Sequence, residues 1–316
     1  MGEKIATRAA YGDALKKYGG ANPDVVVLDA DLAGATFSIR FAEAYPERFF
    51  DCGIAEANMV GLSAGLATTG KIPFLHSFAM FSTGRVFDQV RNSVAYPHLN
   101  VKVVGTHSGL SVGEDGATHQ CLEDIALMRT LPGMMIVNPC DAHEAEEAVK
   151  AVVDYVGPTY LRIGRNPVEV VTDAIPGYRF ELGKGIELRS GSDVAILATG
   201  NMVQEALKAA AMLAEEGVDA RVIDIHTIKP IDREIILKAA RECGAIVTSE
   251  DHNVLAGFGS AVAEVVSEEH PVPVIRHGVN DQFGRSGAAQ QVLDAYGVNA
   301  QGIVEAARRA VSLKKK

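Results

Sequence analysis

Three segments gather residue types that could do chemistry together. In Cys52-Gly53-Ile54-Ala55-Glu56-Ala57-Asn58-Met59, Glu56 heads a run of small and apolar residues. A glutamate in a first helical turn offsets the helix dipole, and taken alone the segment favours that reading. The residues that follow, Gly61-Leu62-Ser63-Ala64-Gly65-Leu66-Ala67, let other backbones pack very close. A carboxyl beside such a buried helix is desolvated and its pKa rises, which makes a usable proton donor near neutral pH. In Ser77-Phe78-Ala79-Met80-Phe81, two aromatic rings come just after an apolar run, where open α/β sheets bind ligands. Phe78 and Phe81 could hold a flat heterocycle there by stacking, whereas Phe87 reads as core.

The most specific segment is Thr106-His107-Ser108-Gly109 followed by Gly113-Glu114-Asp115-Gly116-Ala117-Thr118-His119-Gln120. It packs two histidines, two acids and three glycines into one loop between a strand and a helix. His107 and His119 can shuttle protons, and Asp115 can hold a hydroxyl, which suits a polyhydroxylated anionic substrate. Metal binding is the rival reading. No third histidine and no helical H-x-x-x-H spacing supports it, so no metal ligand is assigned in this chain. Arg8 and Arg165 complete the set. Each alone suits a surface salt bridge, and together they suit a phosphate clamp, because a guanidinium meets phosphate as a planar fork.

The elements that must position these residues alternate. Apolar runs at Val25-Val26-Val27-Leu28, Ile72-Pro73-Phe74-Leu75, Val101-Lys102-Val103-Val104, Met135-Ile136-Val137 and Tyr160-Leu161-Arg162-Ile163 read as strands. Helical spacing lies between them, at 54–69, 85–96, 121–131 and 142–153. Such βα alternation argues for a mainly parallel sheet with helices on both faces. It breaks from residue 166 to about 192, a stretch with prolines and glycines and no helical period, which reads as a linker with a short β excursion. It resumes with Asp193-Val194-Ala195-Ile196-Leu197, Arg221-Val222-Ile223-Asp224, Ala245-Ile246-Val247-Thr248 and Val272-Pro273-Val274-Ile275. The fold class is therefore α/β with two domains, each a mainly parallel sheet flanked by helices. The expected boundaries are 1–170, a linker at 171–189, and 190–316.

Composition narrows the partners. Against 30 Lys+Arg stand 40 Asp+Glu, a net charge of −10, which is the wrong sign for a nucleic-acid surface. No apolar window reaches the ~20 residues that span a bilayer. Cys52, Cys121, Cys140 and Cys243 share no CxxC spacing, so free thiols in a reducing cytoplasm are expected. The closing Lys314-Lys315-Lys316 reads as a solvated tail.

In their order and spacing these motifs resemble the C-terminal half of transketolase over essentially the whole chain. Asp29-Ala30-Asp31-Leu32 is similar to that family's segment near the thiazolium, and Ile54-Ala55-Glu56 to its glutamate motif. Phe78-Ala79-Met80-Phe81 is similar to its aminopyrimidine pocket, and His107 with the 113–120 loop to its substrate channel. Ile228-Lys229-Pro230-Ile231-Asp232 and Glu250-Asp251-His252 resemble its C-terminal domain signatures. The resemblance implies that Glu56 binds the pyrimidine N1′ of thiamine diphosphate and drives it to the tautomer that deprotonates the thiazolium. It implies that Phe78 and Phe81 hold the pyrimidine and that Asp31 lines the thiazolium side. His107 and Asp115 would bind the donor sugar near C1 and C2, His119 would contact hydroxyls farther along, and Arg8 and Arg165 would hold the phosphate. Ala35 stands where some relatives carry a phosphate-binding serine, so Thr36 is the candidate for that contact, with Ser38 nearby. Gly84 stands where some carry a third aromatic.

The family binds diphosphate and Mg²⁺ or Ca²⁺ through a domain with a Gly-Asp-Gly motif, which this chain does not contain. The resemblance thus implies an N-terminal partner subunit, an α2β2 assembly, and sugar phosphate substrates. Two related thiamine enzymes are the alternatives, a 1-deoxyxylulose-5-phosphate synthase and a 2-oxoacid dehydrogenase beta subunit. His107 and the Gly-Glu-Asp-Gly-x-Thr-His loop favour transketolase over both. A non-catalytic paralogue that only binds a partner would have lost its glutamate, and Glu56 is present. The partial pattern Gly257-Phe258-Gly259-Ser260 lacks the third glycine of a nucleotide site. The second domain is left with packing and assembly.

Overall fold

The computed structural model describes residues 3–314 apart from Ala174 and Pro176. Two residues of the expected linker, and Lys315 and Lys316 of the basic end, thus lie outside the described residues. The chain builds two α/β halves, each on a mainly parallel sheet flanked by helices.

The first sheet runs, in spatial order, Thr227–Lys229, Met135–Val137, Thr159–Arg162, Lys102–Thr106, Ile72–Phe78, Val25–Asp29 and Phe49–Asp51. Its neighbours are parallel except the first pair, in which Thr227–Lys229 lies antiparallel to Met135–Val137. An edge strand of this sheet therefore comes from the second half of the chain. The second sheet runs Val274–Val279, Ile246–Asn253, Val194–Ala198, Ala220–Asp224 and Ile186–Arg189, the last antiparallel. Inner strands such as Val25–Asp29, Val194–Ala198 and Ala220–Asp224 are buried along their whole length. Strands covered on both faces read as continuous apolar runs, which is why they stand out in the sequence.

The break at 166–192, where a linker with a short β excursion is expected, contributes two strands. Pro167–Glu169 pairs antiparallel with Lys4–Ala6, and Ile186–Arg189 closes the edge of the second sheet. Both are short and only partly buried, so neither has the apolar signature of an inner strand. The expected helix at 85–96 is instead a short α-turn, Phe87–Gln89, followed by a π-helical turn, Val90–Ala95. The strand expected at 72–75 runs on to Phe78, which places that ring on the strand's last residue.

Register aligns the carboxyl ends of the first sheet. Asp29 lies opposite both Asp51 and His76, Phe78 opposite Thr106, and Gly105 opposite Arg162. The loops after these strands open on one edge, where parallel sheets bind ligands. Beneath it, one apolar cluster joins both halves, from Leu28, Met59 and Leu75 to Ile223, Ile236 and Phe258. Among the described residues no helix is long and apolar enough to cross a membrane.

A buried charge network also joins the halves. Arg162, 1% exposed, donates Nε to Asp124 at 2.8 Å and Nη1 to Asp251 at 2.7 Å. Tyr160 donates its hydroxyl to the same Asp124 oxygen at 2.6 Å. Two carboxylates taken out of water need this cation. Arg162→Met should therefore cost ~3–5 kcal/mol, the usual loss when one partner of a buried ion pair goes. The midpoint of chemical unfolding measures it, and a near-neutral change would contradict the network's role.

Candidate active site

Glu56 is the first residue of the helix Glu56–Thr68 and is 4% exposed. Met59, Val60, Ser63 and Ala64 bury the inner face of that helix and hold its first turn at the sheet edge. Glu56 is not the isolated buried carboxyl that the sequence suggests. Arg85 donates Nη1 to its Oε1 at 2.6 Å, and the same guanidinium lies 4.1 Å from the centroid of the Phe81 ring. The two side chains meet because Met80–Gly84 is a π-helical turn, closed by the Arg85 N–H on the Met80 carbonyl at 3.2 Å. Such wide turns recur where a helix must re-aim a functional side chain. Sequence patterning alone does not mark Arg85. Its only signal is its place four residues after Phe81, since it opens what reads as a plain helical stretch.

The aromatic rings and histidines come together as one cluster. The Phe78 and Phe81 rings are nearly parallel, at 18° and 6.2 Å between centroids. His107 stacks on Phe78 at 3.9 Å, and His119 meets the edge of Phe81 at 5.2 Å. His107 holds left-handed backbone, φ 54°, an uncommon state for a residue with a side chain and one that recurs at functional sites. Burial drives its imidazole pKa down to about 3, and the charges of Arg8, Arg165 and His119 push the same way. The ring is neutral at physiological pH, with Thr106 Oγ1 3.0 Å from Nδ1.

Arg8 and Arg165 converge on this cluster. Arg8 Nη1 lies 3.5 Å from His107 Nε2 and donates to the Ala35 carbonyl at 2.7 Å, while its Nε donates to the Arg165 carbonyl at 3.0 Å. Partial burial, then the neighbouring Arg165, lower the Arg8 pKa from its ordinary value. Arg165 donates Nη1 to Glu114 at 2.9 Å and to the Val112 carbonyl. Asp115 is exposed in the same loop. Asp31 is exposed two residues beyond its strand, also in left-handed backbone, φ 62°.

Thr36 is placed differently from expectation. It is fully buried, and its hydroxyl donates to Asp29 Oδ2 at 2.7 Å, beside Ser38 Oγ at 2.8 Å on the same oxygen. Asp29 ends a buried strand and needs these donors. Burial still raises its pKa to about 6, with the Thr36 and Ser38 hydroxyls and the Leu32 N–H opposing. Thr36 therefore serves Asp29, and the Ala35 carbonyl beside it is where Arg8 binds.

The transketolase pyrimidine binding domain matches residues 3–170 and the transketolase C-terminal domain matches 183–303. The chain is 46% identical to the putative transketolase C-terminal section of Methanocaldococcus jannaschii, over 94% of each chain. It is 44% identical to the 6-deoxy-6-sulfo-D-fructose transketolase subunit SqwH of a Clostridium species, over 97% of this chain and 95% of the relative. A solved structure described as a split gene transketolase, inactive beta4 tetramer, superposes with a TM-score of 0.91 at 51% identity, covering 98% of this chain and 99% of that one.

The low His107 pKa has a consequence for stability. An unfolded imidazole titrates near 6.5 and the folded one near 3, so between these values the unfolded chain binds the extra proton. The stability linked to His107 is complete above pH 6.5 and is lost as pH falls toward 3. Unfolding of the native chain and of His107→Gln, compared from about pH 7.5 to about pH 5, should show the native chain losing ground to the variant. Parallel curves would contradict a neutral, buried His107.

Proposed function

The chain belongs to the transketolase family, and on that premise we propose that it is the cofactor-activating subunit of a split, thiamine-diphosphate-dependent transketolase. The reaction is transfer of a two-carbon ketol unit from a ketose phosphate, such as xylulose 5-phosphate, to an aldose phosphate, such as ribose 5-phosphate. The observation that carries this reading is the convergence of Glu56, Phe78, Phe81, His107 and His119 at one sheet edge. A buried carboxyl group joined through Arg85 to one of two near-parallel phenyl rings suits an aminopyrimidine, which offers a ring nitrogen to the acid and flat faces to the rings. When bound, the cofactor supplies the carbon nucleophile that carries the ketol unit.

Each residue of the chain has a bounded task. Glu56 exchanges a proton at the pyrimidine N1′, with Arg85 occupying its Oε1. Phe78 and Phe81 exclude water and orient the ring, and Asp31 lines the thiazolium side. Neutral His107 can both donate and accept, so it suits sugar hydroxyls whose protons move. Asp115 accepts from the donor hydroxyls and His119 contacts hydroxyls beyond. Arg8 and Arg165 hold the anionic end as two forks.

The diphosphate and its Mg²⁺ or Ca²⁺ fall to an N-terminal partner subunit of comparable size, in an α2β2 assembly. Ile54, Phe50 and Leu62 are 76%, 44% and 47% exposed beside Glu56, and open space lies outside Gly61 and Gly65. Contiguous exposed apolar surface marks an interaction site. The free thiols of all four cysteines fit a reducing compartment, the cytoplasm. A second substrate reading has one observation behind it: the 44% identical relative named for a 6-deoxy-6-sulfo sugar. A sulfonate is also a planar-fork target for Arg8 and Arg165.

The test is ketol transfer by the chain assembled with its partner. Glu56→Gln should lose ~10²-fold or more of the rate while the assembly persists, as for loss of an acid–base group. Unchanged turnover would contradict the assignment. Xylulose 5-phosphate with ribose 5-phosphate, run against a sulfo-sugar donor, separates the two substrate readings.

A further inference from the structure

The second half of the chain does more than pack. Its loop at 281–287 lies directly behind the loop 113–120 that carries Asp115 and His119, and one buried side chain joins the two. Gln120, 2% exposed, places Nε2 within 3.2 Å of the Leu110 carbonyl, 3.3 Å of the Gly113 carbonyl and 3.1 Å of the Arg285 carbonyl. Two of these acceptors belong to the first half and one to the second. Its Oε1 has no hydrogen-bond partner among the described residues and lies against Gly284, where an added Cβ would overlap it.

The glycines of the loop make matching close approaches. Gly113 and Gly116 hold left-handed backbone, at φ 83° and 75°. A Cβ on Gly116 would strike the Ser286 hydroxyl, and one on Gly113 would press on Gly287 and Ala289. Glu114 and Asp115 sit between these two contacts. The near end of the loop is pinned as well: Ser111 donates to Asp251 at 3.2 Å, and Gly109 packs on the same carboxylate. The segment is therefore held from the second half at several points, with Ser111 reaching across before the loop and Gln120 at its end.

We propose that Gln120 is a positioning residue, clamping the 113–120 loop to the 281–287 loop and so setting the affinity for sugar phosphate through Asp115 and His119. This rests on the reading of Asp115 and His119 as substrate residues. Gln120 is buried on backbone carbonyls of the two loops, so it acts through the residues the 113–120 loop carries. Its loss should let the loop drift while leaving Glu56 and the aromatic rings in place.

The experiment is steady-state ketol transfer by the assembled enzyme carrying Gln120→Ala, Gly284→Ala or both. Each single change should raise the sugar phosphate KM about tenfold with kcat little altered, since small misplacements of positioning groups are costly. The double variant should be no worse than Gln120→Ala, because truncating Gln120 removes the group that the new Cβ strikes. Gln120→Met keeps the volume and loses the donors, and should show the same KM rise if the alanine variant folds poorly. Unchanged KM in Gln120→Met, or fully additive single effects, would overturn the proposal. Asp115→Ala is the control. If it raises KM while the Gln120 variants do not, the clamp fails and the substrate reading stands. If Asp115→Ala is silent, the reading beneath the clamp fails.

Discussion

A guanidinium buried without a partner is not tolerated, and Arg162 resolves that constraint by tying the two halves of the chain together. Its two carboxylates come from different places: Asp124 begins the helix after the 113–120 loop, and Asp251 lies on a strand of the second sheet. Asp251 also accepts from Ser111, at the other end of that loop. Both ends of the 109–120 segment are thus fixed to one charge cluster.

Above this anchor, the parallel register brings the active edge together. Phe78 ends its strand opposite Thr106, so His107 falls beside Phe78 and stacks on it. The π-helical turn after Ala79 then aims Phe81 and Arg85 at the same place, and Arg85 reaches Glu56 from a separate helix. The cluster of rings, histidines and one carboxylate is a product of register and one wide turn. No local segment contains it.

Much of this was legible in the residues. Continuous apolar runs mark the inner strands because those strands are covered on both faces. Glu56, Phe78, Phe81, His107 and His119 stand out because chemistry-bearing types sit among small or apolar neighbours. Less legible were features decided by tertiary partners. The strands Pro167–Glu169 and Ile186–Arg189 exist only through pairing at an edge. Thr36 has the right type and place for a phosphate contact, yet the buried Asp29 claims its hydroxyl. Arg85 and Gln120 look like an ordinary helical residue and a loop residue until the groups they meet, from distant segments, are in view.

On the proposed reading the chain supplies one side of an active site, with Glu56 as the acid, Phe78 and Phe81 as aromatic walls and Arg8 with Arg165 as an anion clamp. The central claim is that catalysis needs a second chain to hold the cofactor's diphosphate end. Titrating thiamine diphosphate with Mg²⁺ into this chain alone, into its partner alone and into their mixture tests this most directly. The expected result is tight binding with ketol transfer in the mixture alone. Tight binding and full turnover by this chain without any partner would contradict the account.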